Sequence, residues 1–221
     1  MAEKRRVSHV GAPAKANPFG DVRCRVTDRW FKTRRLLLRS FPGTPEVEQF
    51  ARRQGWPTIE RVSQLKTTVE TMWDLGPVVT LHCVDDGITG NAYVFVSSEV
   101  APFAEAYLQS VEAAFSTWSL DELFQLVDQA KDPQARGMAI IKMTIAAPLE
   151  SNENVIRRMT DALAADDAMQ RDVTLWAMSI CSYPEFRPLL RRAADNEPEQ
   201  LLRRRARALL VVYDKFGVPE P

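Results

Sequence analysis

Asp132-Pro133-Gln134-Ala135-Arg136 and Asp167-Ala168-Met169-Gln170-Arg171 share one layout, an acid at a turn and an Arg four residues later. A third segment, Asn196-Glu197-Pro198 running on to Arg204, follows the same plan more loosely. The three arginines stand 35 and then 33 residues apart. Self-similarity at such a period marks a stacked helical array, because one helix pair cannot bury its own apolar face and its neighbours can.

The apolar residues around these turns agree with that reading. Leu120, Leu123, Phe124 and Val127 form one helical stripe before the first turn, and Met138, Ile141 and Ile145 form another after it. Val155, Ile156, Met159 and Leu163 precede the second turn, and Val173, Trp176 and Ile180 follow it. Phe186, Leu189 and Leu190 precede the third, and Ala206, Leu209 and Val212-Tyr213 follow it. An apolar residue stands two and five places after each aligned Arg: Met138 and Ile141, Val173 and Trp176, Ala206 and Leu209.

On these residues the chain resembles the HEAT-repeat family, including its phycobilin-lyase-type variants, over about residues 119–216. An Asp in the turn and an Arg early in the second helix recur in that family, and here they are Asp132 with Arg136 and Asp167 with Arg171. The third unit departs from the pattern at Asn196 and reads as an end cap. The resemblance implies that Asp caps a helix and Arg braces the neighbouring unit. A tetratricopeptide array has a similar period, but its Trp/Gly/Tyr pattern is absent.

Upstream, signals are mixed. Residues 1–20 read as a basic tail, and Val22, Cys24 and Val26 alternate with Arg23 and Arg25 as a short edge strand would. Trp30, Phe31, Leu37, Leu38 and Phe41 suggest one face of a helix. Thr44-Pro45-Glu46 is a helix start, and Gly55 is its stop. Ile59, Val62, Leu65, Val69 and Met72 recur at helical intervals, although Thr67-Thr68-Val69 is β-prone. Val78–Val84 and Ala92–Val96 read as a hairpin about the turn formers Asp85–Asn91, its apolar side resting on helices. Phe103, Tyr107, Val111, Phe115 and Trp118 predict a helix joining the two halves.

The expected fold is therefore mostly α. A short HEAT-like α-solenoid of about three helix pairs, residues 117–216, is preceded by a small α+β domain with a β-hairpin, residues 21–116. Residues 217–221 are read as a tail.

An apolar fraction of 45% and a charged fraction of 26% place the chain among globular proteins. No apolar run approaches the ~20 residues a membrane span needs, which predicts a cytoplasmic protein without membrane contact. Cys24, Cys83 and Cys181 are odd in number and far apart, so buried reduced thiols are expected rather than a disulfide frame or a zinc site. Net charge is zero but uneven: residues 1–39 carry eleven Lys/Arg against three acids, and the remainder balances them at −8.

Chemistry is scarce. His9 and His82 are the only histidines, and a His82–Cys83 dyad is disfavoured because neighbours in a strand point to opposite faces. Asp85-Asp86-Gly87 opens like a calcium loop but lacks the later ligands. Phosphate-binding glycine loops and serine-hydrolase motifs are absent. No catalytic, cofactor-binding or metal-binding residue is assigned.

Four residues are singled out for partner binding. Arg203 and Arg207, four apart, share a helix face in the cluster Arg203-Arg204-Arg205, and Trp56 and Trp73 are the tryptophans expected at the surface. The function expected is a non-enzymatic protein-binding role, of adaptor or immunity type, for one protein partner. The alternative is nucleic-acid binding through the basic head and the Arg203–Arg207 face. A third is a HEAT-like enzyme acting on a modified base or a tetrapyrrole.

Overall fold

The structure is a computed structural model that describes residues 30–64 and 67–221. The edge strand expected at 22–26, the basic tail, His9 and Cys24 lie outside the described residues.

The expectation of a mostly α chain with a lone hairpin is corrected: the fold is α+β, with eight helices and a six-stranded antiparallel sheet among the described residues. The strands are β1 (Phe31–Lys32), β2 (Leu36–Leu37), β3 (Thr58–Gln64), β4 (Thr68–Gly76), β5 (Val79–Asp86) and β6 (Asn91–Ser98). The order is β1-β6-β5-β4-β3, and β2 also pairs with β6. The hairpin read from sequence is β5–β6, the middle of this sheet and not a free pair. Both of its outer edges are used, β5 by β4 and β6 by β1 and β2.

Two expected helices are strands. The stretch 59–72 is divided between β3 and β4, paired antiparallel, and the apolar residues of the two strands taken together fall at helix-like intervals. Around 30–41 only two-residue strands form, each laid against the buried β6. The open edge, β3, carries a register shift between Thr58 and Glu60 and exposes Glu60 and Arg61. A bulge and charges both oppose edge-to-edge pairing.

One face of the sheet is covered by α1 (Thr44–Gln54) and α2 (Ala101–Ala114). Their core joins Leu36, Val47, Ala51, Trp73, Leu81, Val94, Val96 and Leu108. The start of α1 is capped in trans: the buried Asp85 carboxylate accepts the backbone N–H of Gly43 at 2.6 Å and of Thr44 at 3.3 Å. That contact pins the helix to the end of β5.

The remaining helices are α3 (Leu120–Gln129), α4 (Pro133–Ala146), α5 (Glu153–Leu163), α6 (Ala168–Met178), α7 (Phe186–Asn196) and α8 (Gln200–Lys215). They share a second core running from Leu123 to Val218. α4 lies against α6 and α6 against α8, while α4 also meets β2, which locks the helices to the sheet. Val218, in the stretch read as a tail, is buried in this core.

Candidate functional site

Three polar residues form a chain across β4, β5 and β6: His82, weighed from the sequence as a strand histidine, with Glu70 and Ser97, which sequence reasoning missed. His82 Nδ1 lies 2.8 Å from Glu70 Oε1, and His82 Nε2 lies 2.7 Å from Ser97 Oγ. Register brings them together: His82 stands opposite Met72 and Phe95, so Glu70 and Ser97 are its diagonal neighbours on the same face. The imidazole stacks on Phe95 with centroids 4.3 Å apart. With Nδ1–H donating to Glu70, Nε2 accepts the Ser97 hydroxyl, the order of groups in a serine nucleophile, base and orienting acid.

The surroundings do not complete such a centre. Ser97 is 4% exposed and sits near the end of β6, paired with Thr80 of β5 and Lys32 of β1. Backbone N–H groups there run along the sheet, so none projects from its face to hold an oxyanion. Hydrolase serines of this kind sit on a sharp strand-to-helix turn instead. The chain Glu70–His82–Ser97 bridges three strands as a clasp. Strand alternation over 68–72 was the signal for it, and the helical reading of that stretch hid Glu70.

Cys83 points to the opposite face and is buried. Burial foremost, then the nearby Asp85 charge, pushes its thiol up to about 12, so it stays protonated and unreactive. Cys181 is also buried. Among the described residues no group of three or more His, Cys, Asp or Glu could hold a metal. A shallow depression of about 360 Å³ runs along α1 between Pro45 and Arg53; one helix supplies its whole lining, so no groups converge there.

The singled-out tryptophans are not a surface pair. Trp73 is 1% exposed, inside the sheet core. Trp56 is half-buried, its ring edge-on to Phe50 at 5.4 Å and to Tyr107 at 6.3 Å.

The arginines are largely engaged in holding turns. Asp132 and Asp167 cap α4 and α6, accepting the N–H of Ala135 at 2.8 Å and of Gln170 at 2.7 Å. Arg171 sends Nη1 to the carbonyls of Ala165 and Asp166, at 2.8 and 2.7 Å. Arg203 sends Nη1 to the carbonyls of Glu197 and Pro198, the latter at 2.9 Å. Both arginines thus reach back six and five residues, which makes Arg203 the counterpart of Arg171. The sequence alignment, which used Arg204, is one residue out. Arg207 donates to the Ala194 carbonyl at 2.9 Å, and Arg205 pairs with Asp172.

That corrected register defines a side of each even-numbered helix. Gly137, one place after Arg136, faces Val173; a Cβ there would lie 3.3 Å from its side chain. Asp172, one place after Arg171, faces Arg205. The residue after the Arg therefore looks toward the next helix. On α4 this side continues through Ile141 and Thr144, both buried. On α8 it comprises Leu201, Arg204, Ala208 and Val211, all exposed, with Leu201 and Val211 at 64% and 65%. Arg204 makes no hydrogen bond or ion pair with any described residue. α7 is by contrast covered by the chain end: Arg187 binds the Val218 carbonyl at 3.0 Å through Nε, and Arg191 binds Glu220 at 2.9 Å.

The four steps 201, 204, 208 and 211 form a helical stripe, two large apolar residues flanking a cation and a small residue. Such a stripe can bury area against another helix; it has no group suited to proton or group transfer. No family profile, no curated protein and no solved structure matches this chain.

Proposed function

We propose that this protein binds another protein, as an adaptor or an immunity-type inhibitor that holds its partner without chemistry of its own. The observation that supports this most is the open side of α8. Leu201 and Val211 stand about two-thirds exposed on the side that α4 buries against α6. A HEAT-like ancestry of the helical half belongs to the same proposal, supported by the Asp132 and Asp167 caps and by Arg171. A cytoplasmic location belongs to it too. No helix among the described residues is long and apolar enough to cross a membrane.

The nucleic-acid reading has less behind it. Arg203 and Arg207 spend guanidinium N–H groups on backbone carbonyls. Of the basic head, Arg34 pairs with Glu112 and Arg39 with Glu122. Phosphate binding needs cations whose donors are available.

Size-exclusion of the native cell extract tests both readings. The endogenous protein should elute ahead of the purified chain, and nuclease treatment should leave that position unchanged. Elution at the size of the purified chain would sink the proposal. A shift to that size after nuclease alone would transfer support to nucleic acid.

A further inference from the structure

We infer that the Leu201–Arg204–Ala208–Val211 side of α8 docks an amphipathic helix of a partner protein, one whose apolar stripe carries a carboxylate opposite Arg204. The inference rests on the protein-binding reading above and names the surface and the chemistry of the occupant.

The helices α4, α6 and α8 pack by one rule. α6 meets α8 by placing Asp172, one after its Arg, beside a cation of the next helix, Arg205. α4 meets α6 by placing Gly137 at the same point, close to Val173. α8 offers Arg204 at that point, so the complementary side chain is an acid. Leu201 lies one turn before Arg204 and Val211 about two turns after it on the same stripe, and the small Ala208 lets a helix approach closely between Arg204 and Val211.

A second copy fits this side poorly. Laid antiparallel about Ala208, it sets Val212 opposite Arg204 and Lys215 opposite Leu201, so neither cation meets a carboxylate; laid parallel, it sets Arg204 against Arg204. Head-to-tail growth of the row is also obstructed, because α4, at the far end, already lies against β2. Val218 and Glu220 lie on α7, held by Arg187 and Arg191. A phosphate backbone would pair with Arg204 but would leave Leu201 and Val211 in water.

The test uses the full chain in its native cell with p-benzoylphenylalanine at position 208, and at positions 138 and 103 as controls on other exposed apolar sites. Irradiation should give a discrete protein adduct from position 208. Its cross-linked peptide should be helical in pattern, with an acid among apolar residues. Arg204→Glu should reduce that adduct at least about tenfold through like-charge repulsion, and Arg204→Lys should largely retain it. Because Arg204 touches no described partner, melting temperatures of both variants should match the parent, which separates docking from folding.

An adduct between two copies of this chain, or one destroyed by nuclease, overturns the inference. So does an adduct unchanged by Arg204→Glu. Adducts from position 138 or 103 alone overturn it while leaving the protein-binding reading in place. No adduct from any of the three overturns both.

Discussion

Arg171 and Glu197, 26 residues apart, close on each other through Nη2 at 2.8 Å and Nε at 3.0 Å, with both side chains almost wholly out of water. The same guanidinium holds the turn before α6 through Ala165 and Asp166, and Glu197 lies in the turn before α8, so one cation ties two successive turns together. The hydrogen bonds to Glu197 raise the pKa of Arg171 further, so its guanidinium stays charged at any pH at which the protein folds. Removing one partner leaves the other charge buried and unpaired. Glu197→Ala should therefore cost about 3–5 kcal/mol. Chemical denaturation should show the double variant Arg171→Ala/Glu197→Ala costing clearly less than the two single losses added together.

Arg203 repeats only half of this arrangement, the carbonyl contacts, and lacks a buried carboxylate partner. Arg203→Ala should cost about 1–3 kcal/mol, the range for hydrogen bonds to a charged group. In the same preparation, retention on DNA at low salt should be unchanged. A variant of parental stability that loses DNA retention would contradict the role assigned to Arg203.

Glu122 gives the stability a pH dependence. Its carboxylate accepts the backbone N–H of Ser119 at 2.9 Å, then Arg39 and the Ser119 hydroxyl, and these bonds lower its pKa from 4.5 to about 2. A depressed folded-state value means that the contribution is complete above the unfolded value and is lost as pH falls toward the folded one. Between about pH 5 and pH 2 the parent should therefore lose more stability than Glu122→Gln, which has no charge to titrate. Parallel melting curves with equal slopes against pH would contradict this.

The Glu70–His82–Ser97 clasp predicts structure without turnover. Ser97→Ala leaves Nε2 of a buried ring without its partner and should cost about 1–3 kcal/mol. Nitrogen chemical shifts should report a His82 proton on Nδ1. A fluorophosphonate probe should leave Ser97 of the folded protein unlabelled, since it is buried and no backbone N–H projects from the sheet face toward it. Labelling at Ser97 that depends on His82 would overturn the structural assignment.

What could be read from the sequence was what is local. The Asp132 and Asp167 caps bond to N–H groups three residues on, so residue type and position were sufficient to find them. Gly55 ends α1 with φ 73°, as a helix-stop glycine does. β5 and β6 carry enough β-branched and aromatic residues to declare themselves. The sheet as a whole did not, because β3 is polar and the apolar residues of β3 and β4 taken together fall at helix-like intervals. Membership of β1 and β2 is decided by β6, a partner some 60 residues away. Glu197 as the partner of Arg171, and the one-residue offset at Arg203, depend on how turns pack in space. Trp73, expected at the surface, is buried because β4 turns it into the sheet core, a placement that depends on the fold of the whole sheet. The open side of α8 could be found only after the register of the helices was known.

Val78 holds the last prediction. It sits in the turn between β4 and β5 with φ of 62°, half-exposed, beside Gly76 at φ 130°. A β-branched side chain in the left-handed region crowds the following carbonyl, at a cost of about 1–2 kcal/mol. Glycine removes that crowding but adds freedom to the unfolded chain, which takes back up to about 1 kcal/mol. Asparagine adopts this region more readily than valine and keeps a side chain that limits the unfolded ensemble. Val78→Asn should therefore stabilise the protein more than Val78→Gly, and both should melt no lower than the parent. Val78→Ala relieves the branching alone and should fall between the parent and Val78→Asn. A melting temperature that drops in all three variants would mean that Val78 contributes packing worth more than its backbone strain.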